Sequence, residues 1–165
     1  MPGLSERMNE ELNKQLNREL YSAYLYLGMS AYFDSIGLKG FANWFKVQAK
    51  EELEHAMKIY NYILDRGGRI TLHPVEAVPT EYPSPRAAVL RGLEAEREQT
   101  QNINRLYELA REEGDRATEV FLHWFIEEQV EEEKIFSELL QLVDMAGDKP
   151  QALLVIDARL AQRRE

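Results

Sequence analysis

The sequence predicts an all-α protein: a four-helix bundle with one long crossover between its second and third helices, followed by a short fifth helix. Three observations carry that expectation. Apolar residues recur at three- and four-residue spacing along most of the chain, while strand-like alternation is nearly absent. Glycine and proline signals interrupt this pattern at helix-length intervals. One stretch, RITLHPVEAVPTEYPSP, holds four of the six prolines and has no helical period.

Each element has its own signals. The first helix runs from Ser5, a residue suited to the N-cap, to Asp34, with Leu12, Leu16, Leu20, Ala23, Leu27 and Ala31 as its apolar stripe. Ser35 to Lys39 reads as a turn around Gly37, and the second helix spans Gly40 to Arg66 before Gly67-Gly68 stops it. The proline-rich connection, about residues 67–84, is longer than antiparallel neighbours require and long enough to travel the length of a bundle. Ser84-Pro85 combines an N-cap with proline at the first helical position, opening a third helix that reaches Glu112. Gly114-Asp115 is a stop and restart, and the fourth helix covers Arg116 to Met145 until Gly147-Asp148 ends it. The last helix, about Pro150 to Gln162, carries Leu153, Leu154, Ile156 and Leu160. It is too short to stand alone in water and must pack on something. Two hairpin-like pairs joined by a long crossover form the kind of bundle, here about residues 5–145, that hosts metals in its core. The whole chain, 1–165, is one domain's worth.

Composition narrows the function. Hydrophobic residues make up 44% and charged residues 30%, with a net charge of −9 and a pI near 5.0. This acidity argues against nucleic acid or an anionic membrane as partner, and suits a cation ligand or a soluble assembly. The absence of cysteine excludes disulfides, thiolate metal sites and cysteine nucleophiles. MPGLSERMNEEL lacks the apolar run of a signal peptide or membrane span, so a cytoplasmic location is expected.

The candidate chemistry lies in six side chains spread over four helices: Glu19, Glu52 with His55, Glu96, and Gln129 with Glu132. Residues three apart share a helix face, so each pair on the second and fourth helices can address one ion. Glu19 and Glu96 sit deep in their helices among apolar neighbours, where several facing carboxylates are costly without compensation. Two ferrous ions would compensate them, because hard oxygen ligands with one imidazole suit iron. Blander readings exist for each part. A lone Glu-x-x-His arises easily among 29 acidic residues, the EEQVEEE run from Glu127 to Glu133 is ordinarily a solvated face, and Glu19 could pair with Lys14 or Arg18 at the surface. His73, His123 and the aromatics Tyr24, Tyr26, Trp44, Trp124 and Phe125 have structural readings by default. Convergence across four helices in the right order favours the metal reading.

The segments NRELYSAYLYL, FANWFKVQAKEELEHAMKIYNYILDRGGRI, EREQTQNI and FLHWFIEEQVEEEK together resemble a non-haem ferritin of bacterial or archaeal type, and the likeness extends over nearly the whole chain. The resemblance implies a ferritin-like bundle and a ferroxidase that oxidises Fe(II) with dioxygen, storing the Fe(III) oxide in a hollow shell of 24 subunits. It further implies that Glu19, Glu52 and His55 hold one iron, and that Glu52 bridges to a second held by Glu96 and Glu132 with Gln129 beside it. Tyr26 matches the family's tyrosine near the centre and Trp124 a nearby tryptophan; Glu51, Glu128 and Glu131 match acids that form a third iron position with Glu132. Haem is not expected, since no second Glu-x-x-His occurs in the fourth helix. A haem-containing bacterioferritin, another di-iron oxidase or peroxidase, and a non-catalytic cage subunit are the alternatives. Glu119 resembles a channel-lining acid, but Leu122 follows it along the wall; Glu54 resembles a mineral-nucleating acid, with Met57 where some members carry another.

Overall fold

Ser5 opens the first helix as the sequence suggests: its backbone is extended and its hydroxyl accepts the Met8 N–H at 2.9 Å. The structure, a computed structural model, describes residues 3–147 and 149–164; Asp148, half of the stop read after the fourth helix, lies outside them. The helices are α1 (Glu6–Ser35), α2 (Lys39–Asp65), α3 (Pro85–Glu113), α4 (Arg116–Ala146) and α5 (Pro150–Leu160). Ser84 caps α3 by accepting from Ala87 N, with Pro85 at the first position, and Asp115 caps α4 through Thr118 N. Gly114, at φ 68°, supplies the left-handed turn between them.

One expectation is corrected. Leu12, Leu16 and Ala23 are buried as read, but Leu27 and Ala31 face outward and Leu25, Tyr26, Met29 and Phe33 enter the core instead. From Ala23 the two steps to Leu27 and Ala31 are four residues each and gain about 40° apiece on a helix of 3.6 residues per turn, so the stripe winds off the buried face. The last helix, read as reaching about Gln162, closes at Leu160, where Gln162 N bonds back to Arg159 O and Arg163 N to Leu160 O. These three-residue bonds tighten the final turn and fold the tail toward α2.

α1 pairs with α2 and α3 with α4, while α1 also meets α3 and α5 rests on α2 and α4. The crossover runs back along α1 on a ladder of asparagines spaced four apart. Asn9 accepts from Arg69 N (2.9 Å), Asn13 accepts from Thr71 N (2.7 Å) and donates to Arg69 O (2.8 Å), and Asn17 donates to His73 O (3.2 Å). These bonds satisfy an extended backbone that has no helix or strand partner. Farther along, a Cβ on Gly28 would come within 2.4 Å of Pro79 O, so glycine permits the close approach.

α5 is fastened at the start of α2. Leu38 provides no side-chain cap there, and Asp157 Oδ1 accepts the Phe41 N–H at 2.8 Å instead. Ile156 and Leu160 are buried beneath α5, whereas Leu154 and Val155 are exposed. Among the described residues no helix is long and apolar enough to cross a membrane.

The core is divided. One apolar cluster holds Phe33, Phe41, Phe45, Trp44 and Phe136, and another holds Leu12, Ile59, Ile63, Leu106 and Phe125. A second set of buried side chains is polar: Gln15, Glu19, Gln48, Glu52, His55, Glu96, Gln99, Gln129 and Glu132. Their carriers place these residues near the middles of α1 to α4, so a polar belt separates two hydrophobic halves.

Candidate metal centre

The belt brings together all six side chains singled out in the sequence. Glu19 on α1, Glu52 and His55 on α2, Glu96 on α3, and Gln129 and Glu132 on α4 are each at most 4% exposed. Glu19 is therefore no surface partner of Lys14 or Arg18; Lys14 pairs with Glu11 at 3.2 Å and Arg18 donates to Gln15 Oε1 at 3.1 Å.

Among the described residues three groups of side chains could each hold a metal ion, with their ligand atoms within 4.8 Å of one another: Glu19, Glu52 and His55; Glu52, Glu96 and Glu132; and His55, Glu128 and Glu132. Glu52 belongs to the first two, which is the geometry a bridging carboxylate requires. His55 Nδ1 lies 3.4 Å from Glu52 Oε2 and 3.8 Å from Glu19 Oε2, while Nε2 lies 3.3 Å from Glu128 Oε2. Glu19 Oε2 is buried and accepts no hydrogen bond from the described residues, His55 Nδ1 at 3.8 Å facing it as a charge and not as a bonded donor. A bare carboxylate oxygen in a dry site is expensive, and a cation is the partner its neighbours are arranged to share.

Five of the other carboxylate oxygens are held by neutral donors. Tyr26 Oη donates to Glu96 Oε2 at 2.5 Å, and Gln129 Nε2 donates to Glu96 Oε1 at 3.2 Å and to Glu96 O at 3.0 Å. Gln48 Nε2 donates to Glu132 Oε2 at 2.5 Å and Glu52 Oε1 at 3.1 Å; Gln15 Nε2 donates to Glu19 Oε1 at 3.2 Å. Such donors orient the carboxylates without supplying the charge they lack.

Proton affinities record that deficit. Burial, reinforced by the charges of Glu96 and Glu19, pushes the Glu52 carboxyl well above its usual range. Burial and Glu96 together raise Glu132 to about 9. Glu96 rises to about 7, driven by burial and Glu19 and restrained by the Tyr26 hydrogen bond. At His55, burial opposes the charge, but the carboxylates of Glu128, Glu19 and Glu52 outweigh it and hold the imidazole protonated far above its ordinary value. Tyr26 is raised by burial and by Glu96. Without a cation, the centre therefore gathers protons in its place.

The third set of acids is less uniform. Glu128 reaches His55 and is half-buried, Glu51 is engaged at 2.8 Å by Arg163, and Glu131 is exposed; neither Glu51 nor Glu131 belongs to any of the three groups. The Trp124 ring stands edge-on to His55 at 5.2 Å with Lys58 over its face at 4.1 Å. His123 packs near Tyr107, and His73 offers its backbone to Asn17, so neither joins the centre. Sequence reasoning missed Gln15, Gln48 and Arg163. The glutamines had a readable signal, since each precedes a central glutamate by one helical turn; Arg163 had none.

The ferritin-like domain family matches residues 9–146. A protein named bacterial non-heme ferritin from Staphylococcus aureus (strain USA300) is 41% identical over 160 residues, covering 97% of this chain and 96% of the relative. Its namesake from Staphylococcus epidermidis is 41% identical over 163 residues, covering 99% and 93%. Among solved structures, an open pore ferritin from the archaeon Archaeoglobus fulgidus superposes with a TM-score of 0.96 at 48% identity, covering 98% of this chain and 99% of that one. An engineered closed form of the same ferritin gives 0.96 at 48%, covering 98% of both.

Proposed function

Because the chain belongs to the ferritin family and shares its bundle, crossover and short last helix, we propose that it is an iron-storage subunit with ferroxidase activity. It oxidises Fe(II) with dioxygen at a di-iron centre inside one chain and keeps the Fe(III) oxide within a hollow shell of 24 copies in the cytoplasm. Residues 1–165 act as one domain.

Support comes chiefly from Glu52, shared between two buried ligand groups, one of which contains the unpartnered oxygen of Glu19. Glu19, Glu52 and His55 hold one ferrous ion; Glu52, Glu96 and Glu132 hold the other, with Gln129 fixing Glu96. The four glutamates, once ionised, match the charge of two divalent ions. To reach that state Glu52, Glu96, Glu132 and His55 must surrender protons, which leave as iron enters. Each ferrous ion then gives one electron to dioxygen. Tyr26 holds Glu96 by its hydroxyl, and the two apolar halves limit solvent around the reacting ions. Glu51, Glu128 and Glu131, with Glu132, form a third iron position. A net charge of −9 per chain, repeated over a shell, raises the local concentration of ferrous ions.

Glu52→Ala removes the carboxylate common to both groups. Stopped-flow absorbance after mixing the assembled variant with Fe(II) in air should show the rapid phase lost, by about a hundredfold or more if both positions fail. An unchanged initial rate would overturn the assignment, and size-exclusion chromatography shows whether the shell itself survives.

A further inference from the structure

Arg163 lies just past α5, on a tail that bends back over α2. Its guanidinium is held from several sides. Nη2 donates to Glu51 Oε2 at 2.8 Å and to Gln48 Oε1 at 2.9 Å, Nη1 donates to Trp44 O at 3.1 Å, and the group lies 4.3 Å from the centre of the Trp44 ring. Asn43 Nδ2 donates to the Arg163 carbonyl at 3.0 Å, fixing the backbone as well. The side chain is only 16% exposed.

What Arg163 touches leads directly to the centre. Gln48 is fully buried, and the amide whose oxygen accepts from Arg163 donates through its nitrogen to Glu132 and Glu52. One side chain therefore links the guanidinium to two central carboxylates. Glu51, its other partner, is one of the acids assigned to a third iron position. A guanidinium is permanently charged and forks onto carboxylates. With Glu51 read as a ligand of the third position, the guanidinium already satisfies an oxygen that a third cation would need.

We propose that Arg163 is a specificity-determining positioning residue, a tethered positive charge that occupies Glu51 and so limits the centre to two tightly held ions. The third position fills only when Arg163 gives way, and the inference rests on the reading of Glu51, Glu128 and Glu131 as that position. Through Gln48, the same contact fixes the direction of the Glu132 and Glu52 oxygens. The tail thus governs how many cations one chain retains.

The test is calorimetric titration of metal-free, assembled protein with Zn(II), which is redox-silent. Wild type should bind two ions per chain tightly and a third weakly. R163Q should tighten the third by about tenfold, the scale of one lost charge-assisted hydrogen bond competing for Glu51. R163K keeps the charge but cannot reach Glu51, Gln48 and the Trp44 carbonyl with one planar group, so a gain of about threefold is expected, and it preserves the comparison if R163Q does not assemble. With E51Q already present, adding R163Q should change the third affinity less than about twofold, because independent sites add and coupled ones do not. Equal third-site affinity in wild type, R163Q and R163K would overturn the role of Arg163 while leaving the third position standing. Absence of any third ion in all of them would remove the premise, and failure to bind the first two would instead overturn the proposed di-iron centre.

Discussion

In the metal-free protein, Glu132→Gln should stabilise the fold, and should do so more as pH rises. Glu132 carries a carboxyl raised from 4.5 to about 9 by burial and by Glu96. Between those values the folded chain holds a proton that the unfolded chain has released, so stability falls with increasing pH at about 1.4 kcal/mol per unit. The contribution is fully present below 4.5, declines through neutrality, and is lost once pH passes about 9. Glutamine cannot titrate, and its amide oxygen can keep the bond from Gln48 Nε2 while its new N–H donors face the carboxylates of Glu52 and Glu96. The gain over wild type should therefore grow by about 4 kcal/mol between pH 5 and pH 8, or about 10 °C in Tm for a chain of this size. Calorimetric melts of chelator-treated protein at both pH values measure it directly. A gap between variant and wild type that stays constant with pH, or a variant that melts lower at pH 8, would refute the picture of a proton-filled, charge-starved belt.

Two further outcomes follow from the same geometry. Loading the centre at pH 6.5 with Zn(II) should release roughly two or more protons per chain, since ligands must shed them to bind; titration in two buffers of different ionisation enthalpy counts them, and no release would contradict the protonated state of His55, Glu52 and Glu132. Asp157→Ala should remove the cap on Phe41 N, cost about 1 kcal/mol, and speed hydrogen exchange in α5; unchanged exchange there would show that Ile156 and Leu160 anchor the helix by themselves.

Much of this was legible because it is local. Ser5, Ser84-Pro85 and Gly114-Asp115 fix helix ends through bonds to residues three or four away, and helical spacing set which residues share a face. The six central residues could be read because a carboxylate amid apolar neighbours is costly in one way wherever it occurs. The errors and omissions arise where distant parts meet. Leu27 and Ala31 had a plausible spacing, but only the position of α2, α3 and the crossover decides which side of α1 is covered. The cap of α2 comes from Asp157, far along the chain, and the clamp on Glu51 comes from Arg163 on the tail. Neither has a periodic signature. The asparagines at 9, 13 and 17 did have one, and it marks the side of α1 along which an extended segment could lie.

That asparagine ladder changes what the crossover is. Residues 69–73 are tied to α1 by Asn9, Asn13 and Asn17, Pro79 presses on Gly28, and the Tyr82 ring meets Tyr32 on the same helix at 5.4 Å. Both ends of the segment are thus moored to one rod, independently of the peptide bonds that join them. A single protease cut within it would sever the chain yet release neither piece, giving two bands on a denaturing gel and one unchanged species under native conditions. In this molecule α1 serves as a splint, and the connection it carries is redundant as a covalent link once folding is complete.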